Sequence, residues 1–422
     1  MNRRIRLYLG TCIVSESASS GKTSVPKATG SVSEVFAAFL KLGLTSFGGP
    51  IAHLGYFRDE LVVRRKWLDE ATFADLVALC QFLPGPASSQ VGFSLGVLRG
   101  HGLLGGLAAW FAFTLPSALI MFAFALGAAH FTSPVAAGFL HGLKLVAVAV
   151  VAQAVWGMAK SLAPDKPRAA IALAAVAVVV LFAGSFAQIS AIVLGALAGL
   201  FLCKAEAAPV CGHLNFPVTR GAGITALALF AILLLMTPLA AAATSLPGLA
   251  LFDAFYRSGA LVFGGGHVVL PLLQAEVVTP GWVSNEAFLA GYGLAQAVPG
   301  PLFTFAAYLG AVMNSPPNGA LGAAIALVAL LLPGMLLVYG MLPFWDSFRT
   351  RDSAQAAMRG TNAAVVGILG AALYNPVWTS AVLHPRDFGL ALFGFLLLVV
   401  WKMPPWVVVV LLAAAGTLSV LF

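Results

Sequence analysis

Charged residues are scarce in this sequence. Only 9% of its 422 residues are Asp, Glu, Lys or Arg, whereas about a quarter of the residues in soluble globular proteins are charged. Hydrophobic residues make up 60% of the chain, and its mean hydropathy is +0.96. The shortage of charge excludes an ordinary soluble domain and predicts an integral membrane protein whose surroundings are the lipid bilayer.

Cysteine is scarce as well. The four cysteines, Cys12, Cys80, Cys203 and Cys211, are too few and too scattered for a disulfide framework or a zinc site. His213 follows Cys211 closely, but no further ligands stand at a metal-binding spacing. We therefore predict no metal site.

Signatures of common enzymes are missing too. There is no His-Glu-x-x-His motif, and residues 21–23 (Gly-Lys-Thr) lack the upstream glycine of a nucleotide-binding loop. Residues 92–96 match Gly-x-Ser-x-Gly, but they lie in an apolar helical segment and not in a strand-turn-helix. These absences predict no enzyme, no catalytic residue and no cofactor.

Long apolar runs are abundant. After a polar tail at residues 1–32, which we expect to be disordered, apolar runs alternate with short polar connectors. A helix needs roughly 20 apolar residues to span a bilayer, and the period-two alternation of barrel strands is absent. The predicted class is therefore an all-α polytopic membrane protein. The predicted segments are 35–57, 71–98, 103–130, 137–160, 168–184, 187–203, 221–243, 251–273, 287–312, 319–345, 357–374, 387–402 and 404–422.

Four backbone breaks interrupt these segments. The first half carries Phe47–Pro50 (FGGP) and Leu83–Pro86 (LPGP), and the second half carries Phe263–Gly266 (FGGG) and Val298–Pro301 (VPGP). Broken helices in matching places of two halves are typical of transporters whose binding site lies between the halves. Packing kinks are the alternative interpretation of the same glycines and prolines.

Other landmarks recur in the same order and predict a duplication. The matched pairs are Lys41 with Arg257, Glu60 with Glu276, Gln81 with Gln296, Leu115-Pro116 with Leu332-Pro333, and residues 142–144 with 360–362. The predicted units are a first repeat at 33–204, a connector with one extra membrane helix at 205–249, and a second repeat at 250–422. Because each repeat has six segments and one helix separates the repeats, we expect inverted topology, with paired broken or re-entrant helices.

The Lys and Arg residues in the loops indicate how the chain is oriented in the membrane. The net charge of +8 is therefore explained by topology and does not indicate nucleic-acid binding. If the broken segments turn back within the membrane, most Lys and Arg fall on one side, which would be the cytoplasm. If they span, the basic connector 58–66 would be outside and the connector 274–286, which has no Lys or Arg, inside. The charges favour re-entrant hairpins, although each segment is long enough to cross.

Candidate ligand contacts lie at and near the breaks. Glycine allows a ligand to approach the backbone closely, and the N-terminus of a helix favours an anion. Buried cations, histidines and neutral hydrogen-bond donors suit a tetrahedral oxyanion. Cations that reach toward the membrane surface and polar bonds between helices are the structural alternatives. The substrate-binding candidates are Lys41, Ser46, Gly48, Gly49, His53, Gln81, Pro84, Gly85, Pro86, Ser88, Lys144, Arg257, Gly264, Gly265, Gly266, His267, Gln296, Pro299, Gly300, Pro301, Thr304 and Asn362.

Three acidic residues, Glu60, Asp75 and Glu276, are candidates for coupling transport to protons. All three lie near connectors, so solvated carboxylates or local ion pairs are the alternative interpretation.

The motif combination resembles the chromate ion transporter family, in its long two-domain bacterial form. The resemblance rests on Phe39–Gly43, Ser46–Pro50, Trp67, Gln81–Pro86, residues 263–266 and Gln296–Pro301, and covers nearly everything from residue 33 onward. The second half departs from the first at Gly266, where the proline of FGGP is missing.

The resemblance implies a multi-pass carrier of the bacterial inner membrane that exports chromate and gives chromate resistance, with sulfate as a related oxyanion. The membrane potential can drive such export, and proton exchange can add to it. A permease for sulfate or another inorganic anion, or an anion channel, remains an alternative, and a homodimer remains open.

Overall fold

The computed structural model describes residues 30–128, 133–182, 185–203, 216–263, 266–345 and 351–421, and within these ranges it contains helices and no strand. The predicted all-α class is therefore confirmed. Among the described residues, five helical stretches are long and apolar enough to cross a membrane. These are Leu103–Gly127, Pro134–Leu162, Arg220–Thr244, Gly319–Phe344 and Asp352–Ala381.

In the described part of the chain, eight α-helices of seven or more residues occur in each half, and one further helix lies between the halves. The first half has α1 (Val32–Thr45), α2 (Gly49–Phe57), α3 (Glu70–Phe82), α4 (Ala87–Arg99), α5 (Leu103–Ala128), α6 (Pro134–Leu162), α7 (Lys166–Leu181) and α8 (Ser185–Leu202). The intervening helix is α9 (Arg220–Thr244). The second half has α10 (Pro247–Ala260), α11 (Val269–Val277), α12 (Asn285–Ala295), α13 (Phe305–Ala311), α14 (Gly319–Met341), α15 (Asp352–Ala372), α16 (Pro385–Val399) and α17 (Pro405–Leu421).

Local sequence explains where these helices begin. Asp69 and Ser284 occupy equivalent places before α3 and α12, and the side chain of each accepts a hydrogen bond from a backbone amide three residues on. Proline stands in the first turn of α2, α6 and α10, where its missing amide costs nothing. Of the helices that follow the four breaks, α2 starts at a proline, whereas α4, α11 and α13 begin without a side-chain cap.

The first broken segment folds back on itself. Lys41 on α1 lies 2.9 Å from Glu60 in the π-helical turn Arg58–Arg64. In one straight helix, residues 19 positions apart would be separated by about 28 Å. Glu34, at the start of α1, accepts a hydrogen bond from Trp67 and pairs with Arg99 at the end of α4. The segments α1–α2 and α3–α4 are therefore two hairpins with their ends together and their breaks at the tips.

The second half repeats this arrangement. Arg257 on α10 lies 2.9 Å from Glu276 on α11. The hydroxyl of Tyr308 on α13 donates to the carbonyl of Ala287 on α12 (3.1 Å). Both second-half segments are thus hairpins as well. A segment that turns back on itself is the arrangement that the loop charges favour. The position of these hairpins relative to the membrane stays a prediction.

Helix α5 contacts hairpins of both halves in turn. Gly105, near its start, packs against the end of α4. Ser117, farther along, contacts Gly300 at a second-half tip, and Phe124 lies 5.7 Å from Tyr308 between ring centroids. One helix therefore runs from the ends of the first-half hairpins, past the tips, toward the ends of the second-half hairpins.

Helix α14 makes the matching series of contacts. Gly322, near its start, packs against α13, and Gly334 contacts Gly85 at a first-half tip. The ring of Tyr339 then lies 6.3 Å from that of Phe93 on α4. The tips of both halves are held between α5 and α14.

Small residues join the halves a second time. Gly142 on α6 packs against Gly416 on α17, and Gly360 on α15 packs against Gly199 on α8. Such contacts let two helix backbones approach closely, as is common in membrane bundles. Each half therefore packs one long helix against the last helices of the other half.

Candidate functional site

The breaks of the two halves meet through two backbone hydrogen bonds. The amide of Gly300 donates to the carbonyl of Ser46 (2.8 Å), and the amide of Gly85 donates to the carbonyl of Val262 (2.7 Å). We call these places the first crossing (Ser46 with Gly300) and the second crossing (Val262 with Gly85). Residues more than 170 positions apart are thus brought together where helical backbone is interrupted.

Glycine is required at both crossings. Gly300 has φ +97 and Gly85 has φ +121, which side-chain-bearing residues rarely adopt. A Cβ on Gly300 would lie 2.8 Å from Ser117 Oγ, and one on Gly85 would lie 2.9 Å from the Cα of Gly334. The close neighbour at both glycines is protein, and the predicted approach of a ligand to their backbone stays a prediction.

The first crossing is lined by polar side chains. His53 is 1% exposed, its Nδ1 lies 3.4 Å from Ser88 Oγ, and its ring packs edge-to-face on Phe113 at 5.4 Å. His53 also lies beside the main chain of Ser46. Ser117 donates to the carbonyl of Thr114, the residue that follows Phe113 on α5 (3.0 Å).

Three buried polar atoms at the first crossing have no hydrogen-bond partner in the described part of the chain: Ser46 Oγ, His53 Nε2 and Thr114 Oγ1. An unpartnered buried polar group costs about 1–3 kcal/mol, so such a group usually marks a place for a ligand or water. Helix α2 begins just after Ser46 of the first crossing and helix α4 just after Gly85 of the second, both without a side-chain cap. Helix starts carry unpaired amides and partial positive charge.

The second crossing is less polar. Val262 stands where the first crossing has Ser46, and Gly334 stands where it has Ser117. The amide nitrogen of Gln90 donates to the carbonyls of Pro84 (2.9 Å) and Gly334 (3.0 Å), while its Oε1 has no partner in the described residues. The two crossings share a backbone geometry but not a chemistry.

The predicted cations Lys41 and Arg257 form ion pairs. Glu60 accepts hydrogen bonds from Lys41 (2.9 Å), Arg65 (2.9 Å) and Arg64 (3.1 Å). Burial opposes ionisation of Glu60, but the hydrogen bonds from Lys41, Arg65 and Arg64 lower its pKa to about 2. Three cations around one carboxylate leave this first ion cluster (Lys41, Glu60, Arg64 and Arg65) with a formal charge of +2.

A second ion cluster (Asp253, Arg257 and Glu276) occupies the matching place. Arg257 pairs with Glu276 through two hydrogen bonds (3.2 and 2.9 Å) and with Asp253 through its Nε (2.9 Å). Two carboxylates on one guanidinium leave a formal charge of −1. A cavity of about 430 Å³ opens beside the cluster.

Other predicted residues make structural contacts. His267 bonds the hydroxyl of Tyr292 (2.6 Å), and Gln296 donates to the carbonyl of the same tyrosine (3.4 Å). Thr304 donates to the carbonyl of Pro301 (2.8 Å). Gly266 contacts Pro50, which brings the first breaks of both halves together.

The remaining predicted residues lie as follows. Pro86 and Pro299 flank the crossing glycines, and Gly48 is the N-cap of α2, which begins at Gly49. Gln81 is exposed at the end of α3, while Asp75 on α3 and Lys144 on α6 are half-buried. Asn362 lies on α15, and its Oδ1 has no partner among the described residues. Gly264 and Gly265 lie outside the described residues.

Sequence reasoning missed three residues that the fold brings to these places: Thr114, Ser117 and Asp253. Ser117 follows the repeated Leu-Pro pair, whose second copy is followed by Gly334, so comparing the two copies could have singled it out. Asp253 stands where the first half has Ala37, and the same comparison would have exposed it.

The family model described as "Chromate transporter" matches residues 33–200 and 249–417. The chain belongs to the chromate transporter family. These two matches cover both halves and leave out α9, so the family unit corresponds to one set of two hairpins and four further helices.

Curated members of the chromate transporter family are similar over most of their length. The chain is 30% identical to a chromate transport protein of Pseudomonas aeruginosa, over 90% of each chain. It is 29% identical to a probable chromate transport protein of Synechococcus elongatus, over 90% of this chain and 93% of that protein. A chromate transport protein of Cupriavidus metallidurans is 28% identical over 79% of this chain and 80% of that protein. No solved structure matches.

Proposed function

We propose that this member of the chromate transporter family exports chromate across the bacterial inner membrane and binds it at the first crossing. The observation that carries the proposal is the group of buried atoms without partners, Ser46 Oγ, His53 Nε2 and Thr114 Oγ1. A tetrahedral dianion accepts hydrogen bonds at four oxygens, and these groups can donate to it. The names of the curated relatives support chromate as the ligand.

The same contacts support an inverted arrangement of the halves. Helix α5 meets the ends of the first-half hairpins near Gly105 and then a second-half tip at Ser117. Helix α14 meets the two sets in the opposite order. Hairpins that enter from opposite sides with tips in contact would place the first crossing near the middle of the membrane.

Charge supports transport in the outward direction. The first ion cluster carries +2 and the second carries −1. With the basic first-half ends in the cytoplasm, a dianion is attracted at the inner end and repelled from the outer end. Moving a dianion out of a cell that is negative inside releases about 4.6 kcal/mol per 100 mV. Membrane potential alone can therefore drive the export that gives resistance.

Substitution at the two crossings tests the binding site. The variant Ser46→Val places a valine at the first crossing, as the second crossing has at Val262. Loss of a hydrogen bond to a charged ligand costs about 1.5–3 kcal/mol, so we expect chromate to bind roughly ten- to a hundredfold more weakly. The measurement is potential-driven chromate uptake into proteoliposomes as a function of concentration.

The matched control is Val262→Ser, which changes the second crossing in the reverse sense and should leave chromate affinity as in the wild type. Equal loss in both variants, or none in Ser46→Val, would contradict the assignment. Sulfate competition in the same assay separates a chromate carrier from a carrier that prefers sulfate.

A further inference from the structure

Helix α4 begins with a buried hydroxyl group that has no partner. Ser89, the third residue of α4, is 3% exposed, and its Oγ has no hydrogen-bond partner among the described residues. The Cα–Cβ bonds of a helix tilt toward its N-terminus, so this hydroxyl is directed toward the start of α4. A buried hydroxyl without a partner destabilises the fold, and its presence therefore calls for a ligand or water that bonds it.

The equivalent hydroxyl in the second half is satisfied by its own backbone. Ser89 and Thr304 occupy the same place after the two Pro-Gly-Pro breaks. Thr304 donates to the carbonyl of Pro301, three residues before it (2.8 Å). Pro86 stands at the same spacing before Ser89, but the corresponding bond is not made. The hydroxyl of Ser89 is thus left available for a ligand.

Backbone amides are available at the same place. The first amides of a helix have no acceptor within the helix, and a helix start carries partial positive charge. Pro86, at the cap position of α4, provides no side-chain acceptor for these amides. Helix α4 has 13 residues and is α-helical from Ala87 onward. In the second half, the three-residue 3₁₀ turn Leu302–Thr304 comes first and is followed by a helix of only seven residues.

The start of α4 is adjacent to the first crossing. The Oγ atom of Ser88, the second residue of α4, lies 3.4 Å from Nδ1 of His53. Gln90, the fourth residue, donates to the carbonyls of Pro84 and Gly334 and so ties the first turn of α4 to α14. The first turn is therefore held in place, and a ligand beside His53 can also contact it.

The chemistry of this place suits an anion. Hydroxyl and amide donors bind oxyanions, and helix starts bind them without a cationic side chain. Lys41 and Arg257, which the sequence suggested as ligand contacts, are paired with Glu60 and Glu276. The positive end of α4 can thus offset charge on a dianion where those two cations are already engaged by carboxylates.

We propose that the N-terminal end of α4, with its free amides and the Oγ of Ser89, is a second subsite that binds the transported oxyanion together with the first crossing. This inference rests on the proposed function, because it extends the site beyond Ser46, His53 and Thr114. Ser89 is a ligand-binding residue in this arrangement. Its hydroxyl stabilises the bound state and destabilises the empty protein.

Equilibrium binding of radiolabelled chromate to the full-length protein in detergent tests the subsite, together with thermal unfolding without ligand. Ser89→Ala should bind chromate roughly tenfold or more weakly, because a hydrogen bond to a charged ligand is lost. Its melting temperature without ligand should equal or exceed that of the wild type, because the hydroxyl that it removes has no partner.

The matched control is Ser258→Ala on α10. Ser258 is 2% exposed, and its hydroxyl donates to the carbonyl of Ala254 (2.8 Å). This variant should melt at a lower temperature than the wild type and bind chromate with wild-type affinity. A second test variant, Ser89→Asp, places a carboxylate where a helix start favours negative charge, so it should stay folded and bind no chromate.

The outcomes separate failure of the subsite from failure of the function. Wild-type affinity in Ser89→Ala, or chromate binding by Ser89→Asp, would overturn the role of α4. A melting temperature of Ser89→Ala as low as that of Ser258→Ala would also overturn it, because the hydroxyl would then be structural. Absence of chromate binding in the wild type would overturn the proposed function itself.

Discussion

Replacing Gly300 by alanine tests whether the first crossing is as tightly built as its geometry implies. The new Cβ would lie 2.8 Å from Ser117 Oγ and 3.3 Å from the carbonyl oxygen of Phe113, on a backbone with φ +97. Holding a non-glycine residue in the left-handed region costs about 1–2 kcal/mol. Adding a methyl group to a filled interior costs about 1–3 kcal/mol more.

A second glycine separates these two costs. Gly281, in the connector between α11 and α12, has φ +79, and a Cβ there would meet nothing within 4 Å. Gly281→Ala should therefore show the backbone cost alone. We expect Gly300→Ala to melt at a clearly lower temperature in detergent than Gly281→Ala, and to lose chromate transport.

The double variant Gly300→Ala with Ser117→Ala should recover part of the lost melting temperature, because it removes the hydroxyl that the new methyl group meets. Thermal unfolding followed by tryptophan fluorescence measures all four proteins. Equal melting temperatures for Gly300→Ala and Gly281→Ala would refute the close contact between the halves at this place.

Two further predictions concern the first ion cluster. Lys41→Ala should abolish chromate transport in vesicles, because it removes a cation beside the proposed path. The variant should still insert into the membrane and elute as a folded species. Lys41→Arg is the control, and wild-type transport by Lys41→Ala would count against a role for this residue. Glu60→Gln should destabilise the protein in a pH-dependent way. Because the pKa of Glu60 is lowered from 4.5 to about 2 in the folded protein, its ion pairs contribute stability that is fully present above pH 4.5 and is lost as the pH falls toward 2. The difference in melting temperature between wild type and Glu60→Gln should therefore be constant from pH 8 to 5 and shrink below that range; a constant difference down to pH 3 would contradict the assigned pairing.

Local signals in the sequence were enough to place the helices and the breaks. A glycine that must adopt positive φ and a proline before a helix are marked by residue type alone, so the end of α1 and the start of α4 could be predicted closely. The repeated order of such marks also identified the duplication.

Contacts between distant residues were not accessible in the same way. Lys41 and Glu60 stand 19 positions apart, and they were assigned to separate roles because their pairing depends on the segment folding back. The bond from Gly300 to Ser46 joins the halves, and no spacing within one half indicates it. Thr114 was overlooked because a hydroxyl in an apolar helix ordinarily bonds to its own backbone.

The unequal crossings have a consequence for how such a carrier can arise. In an assembly of two identical subunits, any side chain gained on one side of the symmetry axis is gained on the other as well. With both copies encoded on one polypeptide, Ser46 can keep its hydroxyl while Val262 has none, and Asp253 can appear where Ala37 remains. Joining the two copies through α9 thus removes the obligation to be symmetric, and the two crossings can differ in their side chains.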